Sequence, residues 1–294
     1  MTPIQDLQHL TAVVTGATSG IGQATAAALA ARGAWVIGVG RSEARCRAAR
    51  EAVLTASPQA RISFLTADLA SQREVRQLAA DIRSTLRAED TERLDVLINS
   101  AGTVSSWRDV TEDGYELQFA VNHLAPFLLT LELMPLLEAA PSPRVITVSS
   151  GSHYRTRMRW EDVMYRQGYQ VLKSYKQSKL ANVLFTAEFN RRYLEARGVR
   201  AYAADPGLVN TQIGLKGTHG LARWVWQRRS ARGAGPEEAA EGIVFLATDP
   251  AAGEDEGVYW KDCRPKQPSA QARDGAEAAR LWALSARLCG LSGA

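Results

Sequence analysis

Six short runs of almost uninterrupted apolar and β-branched residues recur along the chain: TAVVTG (11–16), AWVIGVG (34–40), RISFLTA (61–67), LDVLINS (94–100), RVITVSS (144–150) and VRAYAADPG (199–207). Longer stretches of helical pattern separate them. A strand with one wet face alternates apolar and polar residues, whereas a strand covered on both faces does not. The runs therefore predict a parallel sheet with helices on both faces. IGQATAAALAARG follows the first run and ends at Gly33, while SEARCRAAREAVLTASP and SQREVRQLAADIRSTLRAED each open on a serine suited to cap a first turn. Repeated strand–helix units impose right-handed crossovers, so the expected fold class is α/β, a doubly wound sheet.

No internal repeat, low-complexity linker or shift of composition marks a boundary, and residues 1–294 are expected to form one domain. Two stretches break the regular pattern, 151–174 and 210–235, the second rich in Gly, Trp and Arg. Both follow strand ends, where open parallel sheets bind ligands, and both are predicted to wall a pocket. Cys46, Cys263 and Cys289 are too scattered for a disulfide ladder or a metal site, and His9, His123 and His219 lack metal-ligand spacing. His153 either lines the pocket or caps a turn. No apolar run reaches the ~20 residues needed to cross a bilayer, and MTPIQDLQHL lacks a secretory pattern, so a soluble, cytoplasmic protein is expected. A net charge of +4 and a pI near 9.0 favour a small anionic partner and fall far short of a nucleic-acid-binding composition.

VVTGATSGIGQAT places Gly16, Gly20 and Gly22 between the first strand and the first helix. Glycines there allow a tight turn and close backbone approach. The helix N-terminus beyond them offers free N–H groups and a partial positive charge to a pyrophosphate. Downstream, SYKQSKLANVL (174–184) sets Tyr175 and Lys179 one helical turn apart, so that a phenol and an amine converge on one point. A tyrosine hydroxyl can give a proton to a carbonyl oxygen at close range, and a neighbouring ammonium favours the phenolate needed for the reverse reaction. Ser150, at the end of the fifth run, can donate a hydrogen bond to that oxygen as charge develops on it. Ser149 beside it must point to the other face. Asn122 sits in the apolar stretch AVNHLAPFLL, where a buried amide needs partners.

TGATSGIG (15–22), ADL (67–69), NSAG (99–102), VNHLAPFLLT (121–130), VSS (148–150), YKQSK (175–179) and DPGLVNT (205–211), in that order, resemble the short-chain dehydrogenase/reductase family, and within it the retinol dehydrogenase-like branch. The likeness runs from about Leu10 to Leu291. It implies a single Rossmann-type domain with a seven-stranded parallel sheet, the last strand at GVYWK (257–261). It also implies an oxidoreductase that moves a hydride between NADP(H) and a carbonyl or alcohol. By the same resemblance Asn122, Ser150, Tyr175 and Lys179 are catalytic, Asn122 holding a water that links Lys179 to solvent. Cofactor contacts fall to Gly16, Thr18, Ser19, Gly20, Ile21, Gly22, Asp68, Leu69, Asn99, Ala101, Gly102, Tyr175, Lys179, Pro206, Gly207, Val209 and Thr211. Ser100 stands where the family more often has Asn.

Cofactor choice is read from VIGVGRSEAR. The position where an NAD-preferring enzyme usually carries an acid is Gly40, and Arg41 follows, able to grip a 2′-phosphate. Twenty-four residues separate Ser150 from Tyr175, a long connection shared with the retinol dehydrogenase-like branch, and the extra MRWEDVMYRQGYQ is expected beside the substrate. In relatives the 210–235 segment lids the substrate. Leu221, Trp224 and Val225 at helical spacing, with Arg228 and Arg229 beyond, fit a lid over a sizeable lipophilic molecule or a weak membrane-surface contact. The resemblance implies a homo-oligomer. A protein that binds NADP(H) as a sensor or scaffold, without turnover, is the alternative.

Overall fold

Strands form where the apolar runs lie. The computed structural model describes residues 6–209 and 233–291. In chain order come β1 (Thr11–Thr15), α1 (Gly20–Ala31), β2 (Trp35–Gly40), α2 (Glu43–Ala56), β3 (Ile62–Thr66), α3 (Gln72–Arg87) and β4 (Val96–Asn99). A broken helix follows: α4 (Leu117–Phe119), a π-turn (Ala120–Leu124), α5 (Ala125–Glu132) and α6 (Met134–Glu138). Then come β5 (Arg144–Val148), α7 (Val171–Arg197), β6 (Arg200–Asp205), α8 (Pro236–Thr248), α9 (Ala251–Glu254), β7 (Tyr259–Lys261), β8 (Arg264–Pro265) and α10 (Gly275–Leu288).

The sheet order is β3-β2-β1-β4-β5-β6-β7-β8, and all pairings are parallel except β7 with β8. The order reverses between β1 and β4, so a crevice opens at their carboxyl ends. Among the described residues the sheet has eight strands, where seven were expected. Asp262 and Cys263 both take positive φ (52° and 56°), closing a two-residue hairpin that folds Arg264–Pro265 back along β7.

Both faces of the sheet are covered, as the continuous apolar runs require. Val13, Leu97 and Val145 join one core with residues of α3, α5, α7 and α10. Ala12, Val14, Ile98 and Ile146, their strand neighbours, join the other with residues of α1 and α8. Fully burying each of the valine, leucine and isoleucine side chains stabilises the fold by ~1.5–3 kcal/mol. Trp282 of α10, the largest fully buried side chain among the described residues, meets Phe127 edge-on at 4.9 Å and Phe185 at 5.9 Å, which anchors that helix. No described helix is long and apolar enough to cross a membrane.

Of the two serines expected to cap helices, Ser71 accepts a hydrogen bond from the Glu74 N–H, while Ser42 makes no such bond. The π-turn has a local cause. In an α-helix the carbonyl of residue 122 would accept from the N–H of residue 126, and residue 126 is proline, which has none. The Ala125 N–H bonds Ala120 instead, five residues back.

Candidate active site

One cleft of about 1240 Å³ runs along the carboxyl ends of the strands. Its first wall is the turn between β1 and α1. Gly16 has φ +71°, and a Cβ there would lie 2.8 Å from the Ala101 Cα; a Cβ on Gly22 would lie 2.5 Å from the Gly16 carbonyl oxygen. The turn closes only without side chains at these positions, and it brings the start of α1 to the cleft. Thr18, Ser19, Gly20 and Ile21 line it with them.

At the end of β2, Gly40 admits no side chain: a Cβ would sit 2.3 Å from Thr18 Cγ2 and 2.7 Å from Cys46 Sγ. An acid cannot occupy this position without rebuilding its neighbours. Arg41 lines the cleft instead, and so does Arg45, in the first turn of α2, whose guanidinium reaches the Thr18 carbonyl at 3.4 Å. Sequence reasoning missed Arg45, although a second arginine in RSEAR, just after the second strand, is a signal for it. Asp68 and Leu69 line the same end; Asp68 Oδ1 accepts from the Ala70 N–H at 3.0 Å, which fixes the turn before α3. Ser100, Ala101 and Gly102 line the floor after β4. The Asn99 side chain does not. It shares a face with Leu97, and its Nδ2 donates to Thr130 Oγ1 at 3.1 Å inside the core.

At the other end stand Ser150, Tyr175 and Lys179. Ser149 turns away, as alternation requires, and its hydroxyl donates to the Lys179 carbonyl at 2.8 Å. Ser150 Oγ donates to Ser152 Oγ and accepts from the Ser152 N–H, both at 3.1 Å. Lys179 is 3% exposed, its ammonium donates to the Val148 carbonyl at 2.8 Å, and it lies 5.7 Å from the centre of the Tyr175 ring. Burial pulls its pKa from 10.5 down to about 8, which leaves it largely charged at neutral pH.

Asn122 is not part of the cleft lining. The Thr103 N–H donates to its Oδ1 at 2.7 Å, while Nδ2 donates to the Thr103 carbonyl (3.1 Å) and to Ser178 Oγ (3.0 Å). Ser178 in turn donates to the Tyr175 carbonyl at 2.8 Å. Both Nδ2 hydrogens are engaged, so the carboxamide clamps the post-β4 loop to α7 and does not present a hydrogen to water. The Asn122 atom deprived of its α-helical donor is the main-chain carbonyl, through Pro126.

Pro206, Gly207 and Val209 complete the wall after β6; Thr211 and nearly all of the 210–235 segment lie outside the described residues. His153 does not line the cleft; its ring bonds back to the turn that begins at Ser150. It is fully buried, its Nε2 accepts from the Ser269 N–H at 3.1 Å, and its Nδ1 lies 2.8 Å from the Ser150 carbonyl, which fixes the Nδ1–H tautomer. Burial holds its pKa below the usual imidazole value, consistent with a neutral ring. The stretch expected beside the substrate stands elsewhere: 159–164 line a separate groove of about 820 Å³ with Arg280, Leu284 and Arg287 of α10. The Trp160 indole there donates to Glu277 at 3.0 Å.

The family model described as short chain dehydrogenase matches residues 10–220. This chain belongs to the short-chain dehydrogenases. Retinol dehydrogenase 13 of Homo sapiens is 38% identical to this dehydrogenase over 96% of its length and 85% of the relative's. Polyprenol dehydrogenase of Mus musculus is 37% identical over 96% and 84% of the two chains. Among solved structures, an uncharacterized protein from Mycobacterium paratuberculosis superposes with a TM-score of 0.72 at 31% identity, covering 97% of this dehydrogenase and 95% of that chain. A candidate NAD(P)-dependent gluconate 5-dehydrogenase from Beutenbergia cavernae, with NADP bound at low occupancy, gives 0.66 at 28%, covering 85% and 93%. The membership places the chain among oxidoreductases that act on CH–OH or C=O groups, in the retinol dehydrogenase-like branch.

Proposed function

We propose that this dehydrogenase uses NADP(H) to interconvert a carbonyl and an alcohol on a lipophilic substrate. The observation that carries the reading is one continuous cleft, with the glycine turn and two arginines at one end and Ser150, Tyr175 and Lys179 at the other. The residues fit the cofactor. The side-chain-free turn and the start of α1 would take its diphosphate. Arg41 and Arg45 would hold the 2′-phosphate, with Asp68 and Leu69 beside the adenine. Ala101 and Gly102 would flank the adenosine, and Pro206, Gly207 and Val209 the nicotinamide end. When bound, the nicotinamide supplies or accepts the hydride.

The chain's own groups do the rest. The Ser150 hydroxyl turns from Ser152 to donate to the substrate oxygen, where negative charge grows during reduction. Tyr175 gives that oxygen its proton and takes it back in oxidation. The Lys179 ammonium, fixed by the Val148 carbonyl, favours the phenolate left behind. Asn122 positions Tyr175 through Ser178. The relatives named for retinol and polyprenol support a lipophilic substrate, and Leu172 and Leu208, 39% and 43% exposed while lining the cleft, offer apolar contact.

The test is NADPH consumption over a panel of aldehydes, ketones and quinones, from short-chain to polycyclic, beside direct titration of NADPH and NADH. Turnover of apolar carbonyls with NADPH is the expected result. Tight NADPH binding with no turnover across the panel would instead make the protein a sensor or scaffold. Equal affinity for the two cofactors would remove the phosphate-reading role of the arginines.

A further inference from the structure

The substrate end of the cleft carries more positive charge than a neutral lipophile needs. Besides buried Lys179, it is lined by Lys176 of α7 and by Lys261 and Lys266 on the β7–β8 hairpin. The acid at this end is Asp205, 7% exposed, and both its oxygens are engaged: Oδ2 accepts from the Tyr259 hydroxyl at 2.5 Å and Oδ1 from the Gly207 N–H at 3.0 Å. Lys261 pairs among the described residues only with Asp262, at 3.8 Å, and that carboxylate is 81% exposed, so the pair holds the ammonium weakly. Lys266 has no carboxylate partner among the described residues. Its ammonium lies 5.2 Å from the centre of the Tyr154 ring, itself part of the cleft wall.

The hairpin holds these lysines in place. Its turn places two non-glycine residues at positive φ, and the Lys266 N–H donates to the Tyr259 carbonyl at 2.8 Å. The aliphatic end of Lys261 reaches toward the position of Gly207, with 3.9 Å between its Cε and a Cβ built on that glycine. Cations in a concave site with low-dielectric walls concentrate anions of matching shape. Leu172 and Leu208 border the same space, so apolar surface and positive charge lie within one cleft.

We propose that the substrate is an amphipathic carbonyl compound whose apolar body ends in a carboxylate, and that Lys266 and Lys261 receive this carboxylate. The proposal rests on the oxidoreductase reading above and specifies its substrate class.

The experiment measures kcat/KM with NADPH for matched pairs: para-formylbenzoate and ω-oxo fatty acids of graded length, each against its methyl ester. At low salt the acid is expected to exceed its ester by about tenfold or more at the best length, and the preference should shrink as salt rises. In the Lys261→Gln/Lys266→Gln double variant the acid-to-ester ratio should fall to within about twofold, with an unaltered NADPH dissociation constant. Equal kcat/KM for acid and ester in the wild type would overturn the proposal. So would an equal loss on both members of each pair, or a weakened NADPH affinity that assigned the lysines to the cofactor. If neither member of any pair turns over while other carbonyls of the wider aldehyde, ketone and quinone panel do, the proposed substrate class is overturned; if the whole panel is inert, the oxidoreductase reading fails instead. Calorimetric titration of the acids into NADPH-loaded protein then decides the anion site. Binding of acid over ester that the double variant loses upholds it, and no binding of any acid overturns it.

Discussion

Lys179→Met separates the function of this lysine from its contribution to the fold. The ammonium is 3% exposed, and its pKa falls from 10.5 to about 8 on burial alone. At 1.36 kcal/mol per unit, that difference means the charged form costs the folded state on the order of 3 kcal/mol. Methionine removes this cost and loses one hydrogen bond from a charged donor, ~1.5–3 kcal/mol. The Val148 carbonyl is not orphaned, because Asn182 Nδ2 also donates to it at 3.2 Å. At pH 7 the variant should therefore match the wild type or exceed it by up to ~2 kcal/mol, while turnover drops by ~100- to 10,000-fold. The sign of the pH dependence follows from the lowered pKa. Below about 8 the lysine is charged in both states and the full cost applies. Between about 8 and 10.5 the unfolded chain binds the extra proton, so wild-type stability rises with pH, and above 10.5 the cost is gone. Urea denaturation of the cofactor-free proteins across this range reads the effect. A variant more than ~2 kcal/mol less stable at pH 7, or parallel stability profiles from pH 8 to 10.5, would refute the reasoning.

Tyr175→Phe should keep the fold and NADPH affinity and lose ~100- to 10,000-fold in turnover, checked by steady-state kinetics beside a fluorescence titration. Near-normal turnover would remove Tyr175 from the chemistry. Arg41→Ala should weaken NADPH binding by ~1.5–3 kcal/mol and leave NADH almost unaffected, with Arg45→Ala acting in the same direction; isothermal titration of both cofactors measures the difference. Gly22→Ala forces a Cβ to within 2.5 Å of the Gly16 carbonyl oxygen, so the turn must open. A stability loss of ~1–3 kcal/mol, with at least tenfold weaker NADPH binding, is the expected outcome of melting and titration. Glu116→Gln places an N–H₂ where the carboxylate now accepts from the Gln118 and Phe119 N–H groups and the Ser174 hydroxyl, and should cost ~1–3 kcal/mol in a denaturant melt.

The parts of the fold legible in the sequence are those whose cause is local. A strand buried on both faces declares itself in its own residues, and so do the glycine turn and the one-turn spacing of Tyr175 and Lys179. The alternation that sends Ser149 and Ser150 to opposite faces also sends Asn99 into the core beside Leu97, but the family motif outweighed that rule in reading Asn99 as a cleft residue. The eighth strand was hidden because Asp262–Cys263 lacks the Gly or Asn that usually marks a tight hairpin, and only two residues pair beyond it. Two placements depended on contacts far apart in sequence. The 159–164 stretch is held against α10, where Trp160 meets Glu277, and the Asn122 carboxamide is consumed by Thr103 and Ser178. Neither partner could be chosen from spacing.

The long connection between Ser150 and Tyr175 acquires a physical purpose from those contacts. The first half of α7 buries Ser174, Gln177, Ser178, Lys179 and Asn182, an unusual density of polar side chains for a core helix. Partners for them come from different parts of the chain. Glu116, ahead of α4, accepts from Ser174; the π-turn supplies Asn122 to Ser178; and the end of β5 supplies the Val148 carbonyl to Lys179 and Asn182. The connection itself supplies the Val163 carbonyl, which accepts from Gln177 Nε2 at 2.8 Å, and the Arg159 N–H, which donates to Gln177 Oε1 at 2.8 Å. Leaving any of these groups buried and unpaired would cost ~1–3 kcal/mol, so a small shift of α7 breaks several bonds together. A helix fixed in this way holds the Tyr175 hydroxyl to the tolerance that proton transfer demands. A short link could join β5 to α7, but it would leave the Gln177 carboxamide without its partners. The extra residues therefore brace the helix that carries Tyr175, and the cleft wall there is left to Gly151, Ser152 and Tyr154, the β7–β8 hairpin and Pro206–Val209.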